Sequence, residues 1–587
     1  RAEQQVYAPM ALVTDPEADM WLWDYLIAGN PARRTRSFRI DAASVAATAA
    51  TATLEVRLKG NTAAGRDRDH RAVVSVNGTV VGQGSWAGRT ATNLLLSFSQ
   101  SLLVGGSNRV DITAEVEPMV PYSIFYLDWL ELTYQRRYEA ADDQLVFRGD
   151  GNASVTISGL STAAVEVLDI LDPLMPKVVT GVQVEASGAA YDATFAPAGP
   201  EAPYVAFALG SGLTPASLEA ATPAGLRAVT NAAQHLIVTV PALAGPAEAL
   251  AAHRRSRDLT SQVVLLGDIY DEFGDGIADP RAIRAFLGYA YTNWAVAPRY
   301  VVLAGEGTYD YKGYEGGADS LVPPLMVLTP RGVFGSDAPY VDFNNDKVPE
   351  MAIGRLPALT AEELQGLVDK LVAYETGPAA AWQRAFVLGA DSTDKGGDFT
   401  ASSEEVAGLL PAEWTPEKIY VSQLGAALAR SNLLAKVNAG AAFLNFFGHA
   451  GLSSLGMQGL LNTADVGSLA NSNKLPIVTA LTCVIGRFEL SGYDCLGEAL
   501  LMKTNGGACA VWAPSGLSLN QPSETLAVGF YRAMFEGGKT VLGEGILDAK
   551  AAFVLNSQMT YLLDIYNLLG DPAMAVAGTT ASYGAGG

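Results

Sequence analysis

The fold is decided by a stretch that reads Ala441-Ala442-Phe443-Leu444-Asn445-Phe446-Phe447-Gly448-His449-Ala450-Gly451. Its short apolar run ends at a glycine, which is typical of a strand buried on both faces of a parallel sheet. A second such run, at residues 476–481, ends at Thr482 and Cys483. The stretch between the runs is long enough for one crossover helix, and a right-handed β-α-β unit makes the two strands parallel. We therefore expect His449 and Cys483 together at the carboxyl edge of the sheet, where open α/β sheets bind ligands.

The same alternation of strand and helix extends over the C-terminal part of the chain. Apolar runs of strand length lie at residues 235–240, 262–266, 300–304 and 384–388. One intervening helix has clear start signals, with Asp279 as N-cap and Pro280 at the first helical position. This pattern predicts a mostly parallel sheet with helices on its faces. We divide it into an α/β subdomain A at residues 233–377 and a catalytic α/β subdomain B at residues 378–577.

The first 232 residues follow a different pattern. Short segments such as 53–58 and 72–76 contain strand-forming apolar residues and are bounded by turn signals, including Asn77-Gly78. Residues 1–140 are predicted to form an all-β sandwich or jelly roll, and residues 141–232 a small β domain with a linker. The glycine-containing tail, residues 578–587, is expected to be flexible.

Composition limits the class of partner. The 587 residues include 39 Lys and Arg against 61 Asp and Glu, a net charge of −22. This charge argues against nucleic acid, whose binding depends on cationic side chains that neutralise phosphates. No apolar run reaches the roughly 18 residues of a membrane span. Because the chain begins at Arg1 and not at Met, we expect a processed mature form or a fragment, with any secretory signal already removed.

The thiols are few. Cys483, Cys495 and Cys509 are odd in number and form no CxxC pair, so neither a disulfide framework nor a zinc site is predicted. A histidine beside Cys483 would take its proton, and the thiolate is a nucleophile whose pKa is expected below the roughly 8.5 of a free thiol. A cysteine at a strand end is also often a small core residue, and a histidine among glycines is often a turn residue. On these residues alone both interpretations stay open.

Several motifs together resemble the landmarks of the gingipain-like cysteine peptidases. They are Phe446-Phe447-Gly448-His449-Ala450-Gly451, Ala480-Leu481-Thr482-Cys483-Val484-Ile485-Gly486-Arg487-Phe488 and Gly570-Asp571-Pro572-Ala573, with further matches at residues 271–276 and 350–355. The resemblance covers roughly residues 235–575 and implies a caspase-like catalytic fold. It implies that Cys483 is the nucleophile and His449 the general base and acid. Backbone N–H groups of Ala450 and Cys483 would form the oxyanion hole.

The resemblance also implies roles for three further positions. Asp391, where relatives carry a glutamate, would orient the histidine. Asp398 would lie at the floor of the S1 pocket and select Arg or Lys before the scissile bond, although an aspartate there also suits a helix N-cap. Relatives have glycine where this chain has Ala450, so an alanine would be strained if that position needs positive φ.

A polar loop at residues 342–350 places oxygen side chains at alternate positions, as the start of a calcium loop does. Lys347 stands where an EF-hand needs glycine, so the loop is not an EF-hand. The resemblance implies a calcium site built by Asp346 and Glu350 side chains, the carbonyls of Phe343 and Val348, and Glu306. A solvated polar turn is the alternative, and no organic cofactor is expected.

These features together predict a secreted or cell-surface cysteine endopeptidase that forms an acyl-enzyme and cleaves protein or peptide substrates after Arg or Lys. Cell-surface or matrix components are candidate partners of the N-terminal β domains. One alternative is a sortase-like transpeptidase of a secretion system, because it uses the same acyl-enzyme with a different acceptor. Another is a surface or matrix structural protein that keeps the peptidase-like scaffold.

Overall fold

The computed structural model describes residues 1–218, 220, 222–317 and 319–576. They form two compact units, the first comprising Arg1–Leu12 and Trp21–Ala220 and the second comprising Val13–Met20 and the described residues after 221. The tail predicted to be flexible, residues 578–587, lies outside the described residues. None of the helices described combines the length and the apolar character that a membrane crossing requires.

The first unit begins with a β-sandwich. Its strands are β1 (Ala2–Glu3), β2 (Asp24–Ile27), β3 (Thr35–Ala42), β4 (Thr51–Gly60), β5 (His70–Val76), β6 (Thr79–Trp86), β7 (Ala91–Ser99), β8 (Gly106–Glu115) and β9 (Ile124–Thr133). One sheet has the order β1-β9-β4-β7, with β2 also on β9, and the other has the order β3-β8-β5-β6. Alternate residues such as Leu54 and Val56 on β4 and Ile112 on β8 are fully buried in one shared core. When every second residue of a strand is buried in this way, two sheets pack face to face.

A second pair of small sheets follows in the same unit. Its strands are β10 (Gln144–Arg148), β11 (Val155–Leu160), β12 (Val165–Asp169), β13 (Lys177–Val178), β14 (Gln183–Ser187), β15 (Ala190–Phe195) and β16 (Pro203–Ala208). They form sheets of order β10-β16-β12-β13 and β11-β15-β14, with their own core around Phe147, Ile157 and Tyr204. The prediction that the N-terminal part is all-β is confirmed.

The second unit is built on a mostly parallel sheet. Its strands are β17 (His235–Thr239), β18 (Ser261–Leu265), β19 (Tyr300–Ala304), β20 (Leu325–Thr329), β21 (Gly332–Ser336), β22 (Ala352–Leu356), β23 (Ala385–Ala390), β24 (Thr415–Tyr420), β25 (Phe443–Phe447), β26 (Ala450–Gly451), β27 (Ser454–Leu455), β28 (Leu461–Asn462), β29 (Ile477–Leu481), β30 (Ala510–Pro514) and β31 (Tyr566–Leu569). Ten of the described strands form one sheet in the order β18-β17-β19-β22-β31-β30-β29-β25-β23-β24. Only β30 and β31 pair antiparallel within it, which confirms the predicted sheet. This single sheet runs through both predicted α/β subdomains.

Helices cover both faces of this sheet. They are α1 (Ala244–Arg255), α2 (Leu266–Phe273), α3 (Pro280–Asn293), α4 (Ala361–Thr376), α5 (Phe399–Ala407), α6 (Val421–Leu424), α7 (Ala426–Ala439), α8 (Thr463–Val466), α9 (Leu496–Met502), α10 (Asn520–Phe535), α11 (Leu542–Asn556) and α12 (Tyr561–Ile565). Asp279 caps α3 as predicted, accepting the N–H of Arg281. The expected crossover helix between β25 and β29 is wrong in length, because α8 has only four residues and β26, β27 and β28 fill much of the remaining connection.

Candidate active site

The carboxyl edge of the main sheet brings the predicted histidine and cysteine together. Strands β25 and β29 pair in parallel, with Phe447 opposite Leu481. His449 and Cys483 each follow that pair by two residues. Because neighbouring strands lie about 4.8 Å apart, both residues start from adjacent positions on one edge. The structure therefore places both residues at the same edge of the sheet, as the sequence predicted.

The imidazole of His449 is held by a carboxylate that the sequence did not single out. Its Nε2 lies 2.9 Å from Oδ2 of Asp394, and the ring of Phe399 packs edge-on against it with 5.2 Å between centroids. An added Cβ at Gly396 would come within 3.1 Å of the imidazole Cε1, so the loop passes close only because this residue is glycine. With Nε2 bonded to Asp394, Nδ1 is the ring nitrogen left for proton transfer.

The environment of Asp394 favours the ionised carboxylate, which is the form that accepts this bond. Hydrogen bonds from the N–H of Gly396 and from the His449 ring lower the pKa of its carboxyl. The carboxylate is therefore ionised at neutral pH and favours a proton on Nε2. The sequence signal for this residue was the turn Asp394-Lys395-Gly396-Gly397 after β23, but the direction in which that turn points cannot be deduced from its composition.

The hydrogen bonds of Asp391, which was predicted to orient the histidine, go to the main chain and not to the imidazole ring. Asp391 is buried, and its Oδ2 accepts the backbone N–H groups of His449 at 2.8 Å and Met457 at 3.2 Å. Burial raises the pKa of its carboxyl, and these two bonds oppose the rise. An aspartate is one methylene shorter than the glutamate of relatives, and from the end of β23 it reaches the main chain. Asp391 thus fixes the turn that carries His449.

Cys483 is half-buried, with its Sγ 3.7 Å from the carbonyl oxygen of Ser518. Burial raises the pKa of this thiol, and the contact with Ser518 opposes the rise only in part. The expected low pKa is therefore wrong, because burial disfavours the charged thiolate. A neutral thiol at rest needs His449 to take its proton when substrate arrives. Burial raises the pKa of Cys509 to about 12 and that of Cys495 well above its ordinary value, as suits core residues.

The turn after Cys483 is strained. Val484 has φ +38°, and the N–H of Ile485 donates to the carbonyl oxygen of Cys483 at 2.6 Å. Positive φ is a true outlier for a β-branched residue, and such strain clusters at active sites. The N–H of Val484 donates to the carbonyl of Gly516 at 3.0 Å. Within the described part of the chain the N–H of Cys483 has no comparable acceptor, so it can donate to a developing oxyanion.

Ala450 is not strained. It forms β26 opposite Leu455, and it is not among the described residues with positive φ. Positive φ occurs instead at Gly448, with φ +156°, where an added Cβ would come within 2.6 Å of Oδ2 of Asp391. The glycine that this turn requires therefore precedes His449, and alanine after it is accommodated.

Asp398 is exposed and caps α5, which was the alternative considered for it. Its Oδ1 accepts the N–H of Ala401 at 3.1 Å and the hydroxyl of Thr393 at 3.1 Å. The expected partly buried position is wrong, because the loop holds the carboxylate at the helix start. A second acid lies close to the same helix, where the hydroxyl of Ser402 donates to Oε2 of Glu524 at 2.5 Å.

The carboxylates of the predicted calcium loop accept hydrogen bonds from other residues of the same loop. Oε2 of Glu350 accepts the N–H of Phe343 at 2.7 Å, and Oδ1 of Asp346 accepts the N–H of Val348 at 2.8 Å. Asp346 also receives a hydrogen bond from the side chain of Asn344 at 3.1 Å. The carboxylates are thus engaged with main-chain and amide donors, as in the alternative of a solvated polar turn.

Glu306 follows β19 and belongs to a different segment of the chain. It is buried and accepts the N–H of Gly307 at 3.0 Å. Burial raises the pKa of its carboxyl to about 7, Arg355 opposes this, and its acidic neighbours are Asp494 and Asp319. In the residues described, no three His, Cys, Asp or Glu side chains converge as a metal would need. The calcium site that the resemblance implies at these residues stays a prediction.

Comparisons with known proteins match these features to a family. A family model described as Peptidase family C25 matches residues 229–577. Gingipain R2 of Porphyromonas gingivalis is 28% identical over 170 residues, which are 28% of this chain and only 23% of that protein. The crystal structure of dimeric latent PorU from the same organism has a TM-score of 0.57 at 16% identity, covering 98% of this chain and 52% of that one. That of gingipain R has a TM-score of 0.49 at 22% identity, covering 59% and 78%.

Proposed function

Since this chain belongs to peptidase family C25, we propose that it is a cysteine endopeptidase whose nucleophile is Cys483. The observation that carries the proposal is the placement of Cys483 and His449 at equivalent positions beyond two parallel neighbouring strands. Its substrates are polypeptides, and we propose that it acts as a secreted or cell-surface protein. The N-terminal β sheets are candidate contacts for surface or matrix components.

The reaction begins when the neutral thiol of Cys483 gives its proton to Nδ1 of His449 and Sγ attacks the scissile carbonyl carbon. The carbonyl π electrons move to oxygen, and the oxyanion accepts hydrogen bonds from the N–H groups of Cys483 and Ala450. Asp394 accepts the Nε2–H bond and stabilises the imidazolium formed in this step. A thiol with a raised pKa makes this proton transfer part of the attack.

The tetrahedral intermediate then collapses. The C–N bond breaks, His449 returns its proton to the leaving amine, and the acyl group remains on Sγ. In the second half of the reaction His449 takes a proton from water and the hydroxide oxygen bonds to the acyl carbon. The C–S bond then breaks, and His449 returns the proton to the leaving sulfur of Cys483. An amine that replaces water at this stage would give transpeptidation by the same residues. Products formed with and without an added amine nucleophile distinguish the two outcomes.

Replacing Asp394 by asparagine is expected to lower kcat about tenfold to a hundredfold with little change in KM, because the amide favours the wrong tautomer and stabilises the imidazolium less. Asp394→Glu should recover part of the loss. Thermal stability should stay unchanged, since the carboxylate is exposed. Asp391→Asn, in contrast, should lower Tm because it weakens two buried main-chain bonds. Steady-state kinetics and calorimetry measure both, and equal Tm losses in the two variants would contradict the assignment.

We propose that cleavage follows Arg or Lys, supported by the two acids Asp398 and Glu524 beside α5. The variant Asp398→Asn removes the negative charge but keeps the cap of α5, because asparagine is also a good N-cap. We expect this variant to keep its Tm and to lose about tenfold or more in kcat/KM for substrates with a basic residue before the scissile bond. A substrate library varied at that position measures the preference. An unchanged preference in Asp398→Asn and in Glu524→Gln would contradict the proposal.

A further inference from the structure

A cavity of about 330 Å³ opens beside the nucleophile, on the β30 side of Cys483, whereas His449 lies on the β25 side. Three chain segments form it, which are the turn between β20 and β21, the loop after β30 and the loop before α12. Its walls include Pro330, Arg331, Leu517, Leu519, Met559 and Tyr561. The volume falls within the range of ligand pockets. No described lining residue belongs to the loop around Asp398, so the cavity is separate from the proposed pocket for the basic residue.

The cavity is joined directly to the reacting atom. Ser518, which also lines it, holds its carbonyl oxygen 3.7 Å from Sγ of Cys483 and donates its hydroxyl to the carbonyl of Thr482 at 2.5 Å. Tyr561 lies near both Arg331 and Cys483, because both residues influence the pKa of its hydroxyl electrostatically. An extended chain advances about 3.3 Å per residue. A polypeptide placed for attack by Sγ therefore passes this cavity within a few residues of the scissile bond.

The walls are apolar and open to solvent. Leu517 is 39% exposed, Leu519 is 48% exposed and Met559 is 39% exposed. Large apolar side chains grouped in one concave surface next to a nucleophile mark a binding surface. A large aliphatic side chain from substrate would remove this surface from water, and an apolar pocket of that kind discriminates by about tenfold to a hundredfold.

The mouth of the cavity carries a positive charge. Arg331 is exposed at the β20–β21 turn, where its N–H donates to the hydroxyl of Thr329 at 3.1 Å. In the part of the chain that is described, its guanidinium has no carboxylate at ion-pair distance. A guanidinium left without an acidic partner favours a carboxylate on the ligand.

We propose that this cavity is a second specificity subsite, which takes a large aliphatic residue of the substrate with an acidic residue next to it. This inference rests on the proposed peptidase function and deepens it. Specificity then depends on two places, with a basic residue at the scissile bond and an aliphatic and acidic pair a few residues away. Such a subsite restricts cleavage to a short motif.

The test is a peptide library with a fixed basic residue at the scissile bond and every other position varied over four residues on each side. The wild-type protein should prefer Leu, Ile or Met over Gly by about tenfold or more at one position, and Asp or Glu beside it by about threefold to tenfold. Arg331→Glu should convert the acidic preference into a basic one. Leu519→Ser, at the N-cap of α10 where serine is favoured, should weaken the aliphatic preference.

Arg532→Glu, an exposed residue of α10 with the same charge change, is the matched control and should leave both preferences unchanged. Wild-type cleavage with no preference away from the scissile residue would overturn the subsite while the proposed function stands. An equal response to Arg331→Glu and Arg532→Glu would do the same. Absence of any cleavage across the whole library would instead overturn the proposed function, and the subsite with it.

Discussion

Cys483→Ala is expected to reduce peptide turnover by at least about 10⁴-fold, because the variant lacks the atom that forms the acyl bond. Its Tm should change by no more than a degree or two, since a half-buried sulfur leaves little cavity when removed. A fluorogenic peptide assay with calorimetry of the same sample measures both quantities.

Cys509→Ala is the matched control for this substitution. Its sulfur is buried and contacts the carbonyls of Leu475 and Pro476, far along the strands from their carboxyl edge. This variant should keep its activity and lose about 1 kcal/mol of stability as a small cavity forms. Full activity in Cys483→Ala, or an equal loss of activity in both variants, would contradict the role of Cys483.

Arg254→Met is expected to lower the free energy of unfolding by about 3–5 kcal/mol, the cost of leaving buried charges unpaired. Arg254 on α1 is fully buried and donates to Asp571 at 2.8 Å and to Glu375 at 2.9 Å. Both carboxylates are themselves without solvent contact. Denaturant unfolding measures the change. Arg281→Met, whose guanidinium is exposed, should leave the free energy of unfolding almost unchanged, and a similar loss in the two variants would contradict this role of Arg254.

The same network fixes how stability depends on pH. Burial raises the pKa of Asp571, but Arg254 and His235 outweigh it, and its pKa lies well below the ordinary range. Burial also raises the pKa of the Glu375 carboxyl, but its interactions with Arg254 oppose this, and the pKa is lowered overall. The stability that these groups contribute is present above their unfolded pKa of about 4 and is lost as pH falls further. The loss of unfolding free energy in Arg254→Met should therefore be largest above pH 5 and become smaller in acid.

Some parts of the site could be predicted because they depend on local residue patterns. Other parts depend on contacts between residues that are far apart in the chain. The strands before His449 and Cys483 were evident because a short apolar run that ends in glycine or polar residues defines a buried strand locally. The motif around Asp571 was recognised as a landmark, but its role as a buried partner of Arg254 depends on a helix more than 300 residues earlier in the chain.

Features set by loop paths and burial were missed. The sequence pointed only to Asp391 as the carboxylate that orients His449, whereas the turn through Gly396 brings Asp394 to the ring. The pKa of Cys483 depends on how much of its sulfur the neighbouring loop covers. Glu306 was grouped with the polar loop by resemblance, yet its carboxylate faces other acids.

Covalent labelling of the intact protein with a peptidyl chloromethyl ketone carrying Arg next to the reactive group, followed by peptide mapping by mass spectrometry, shows whether Cys483 is the nucleophile. We expect a single adduct on Cys483, absent in Cys483→Ala and formed much more slowly in His449→Ala, because the neutral thiol needs a base. Labelling of Cys495 or Cys509 in place of Cys483, or a rate unaffected by removal of His449, would contradict it.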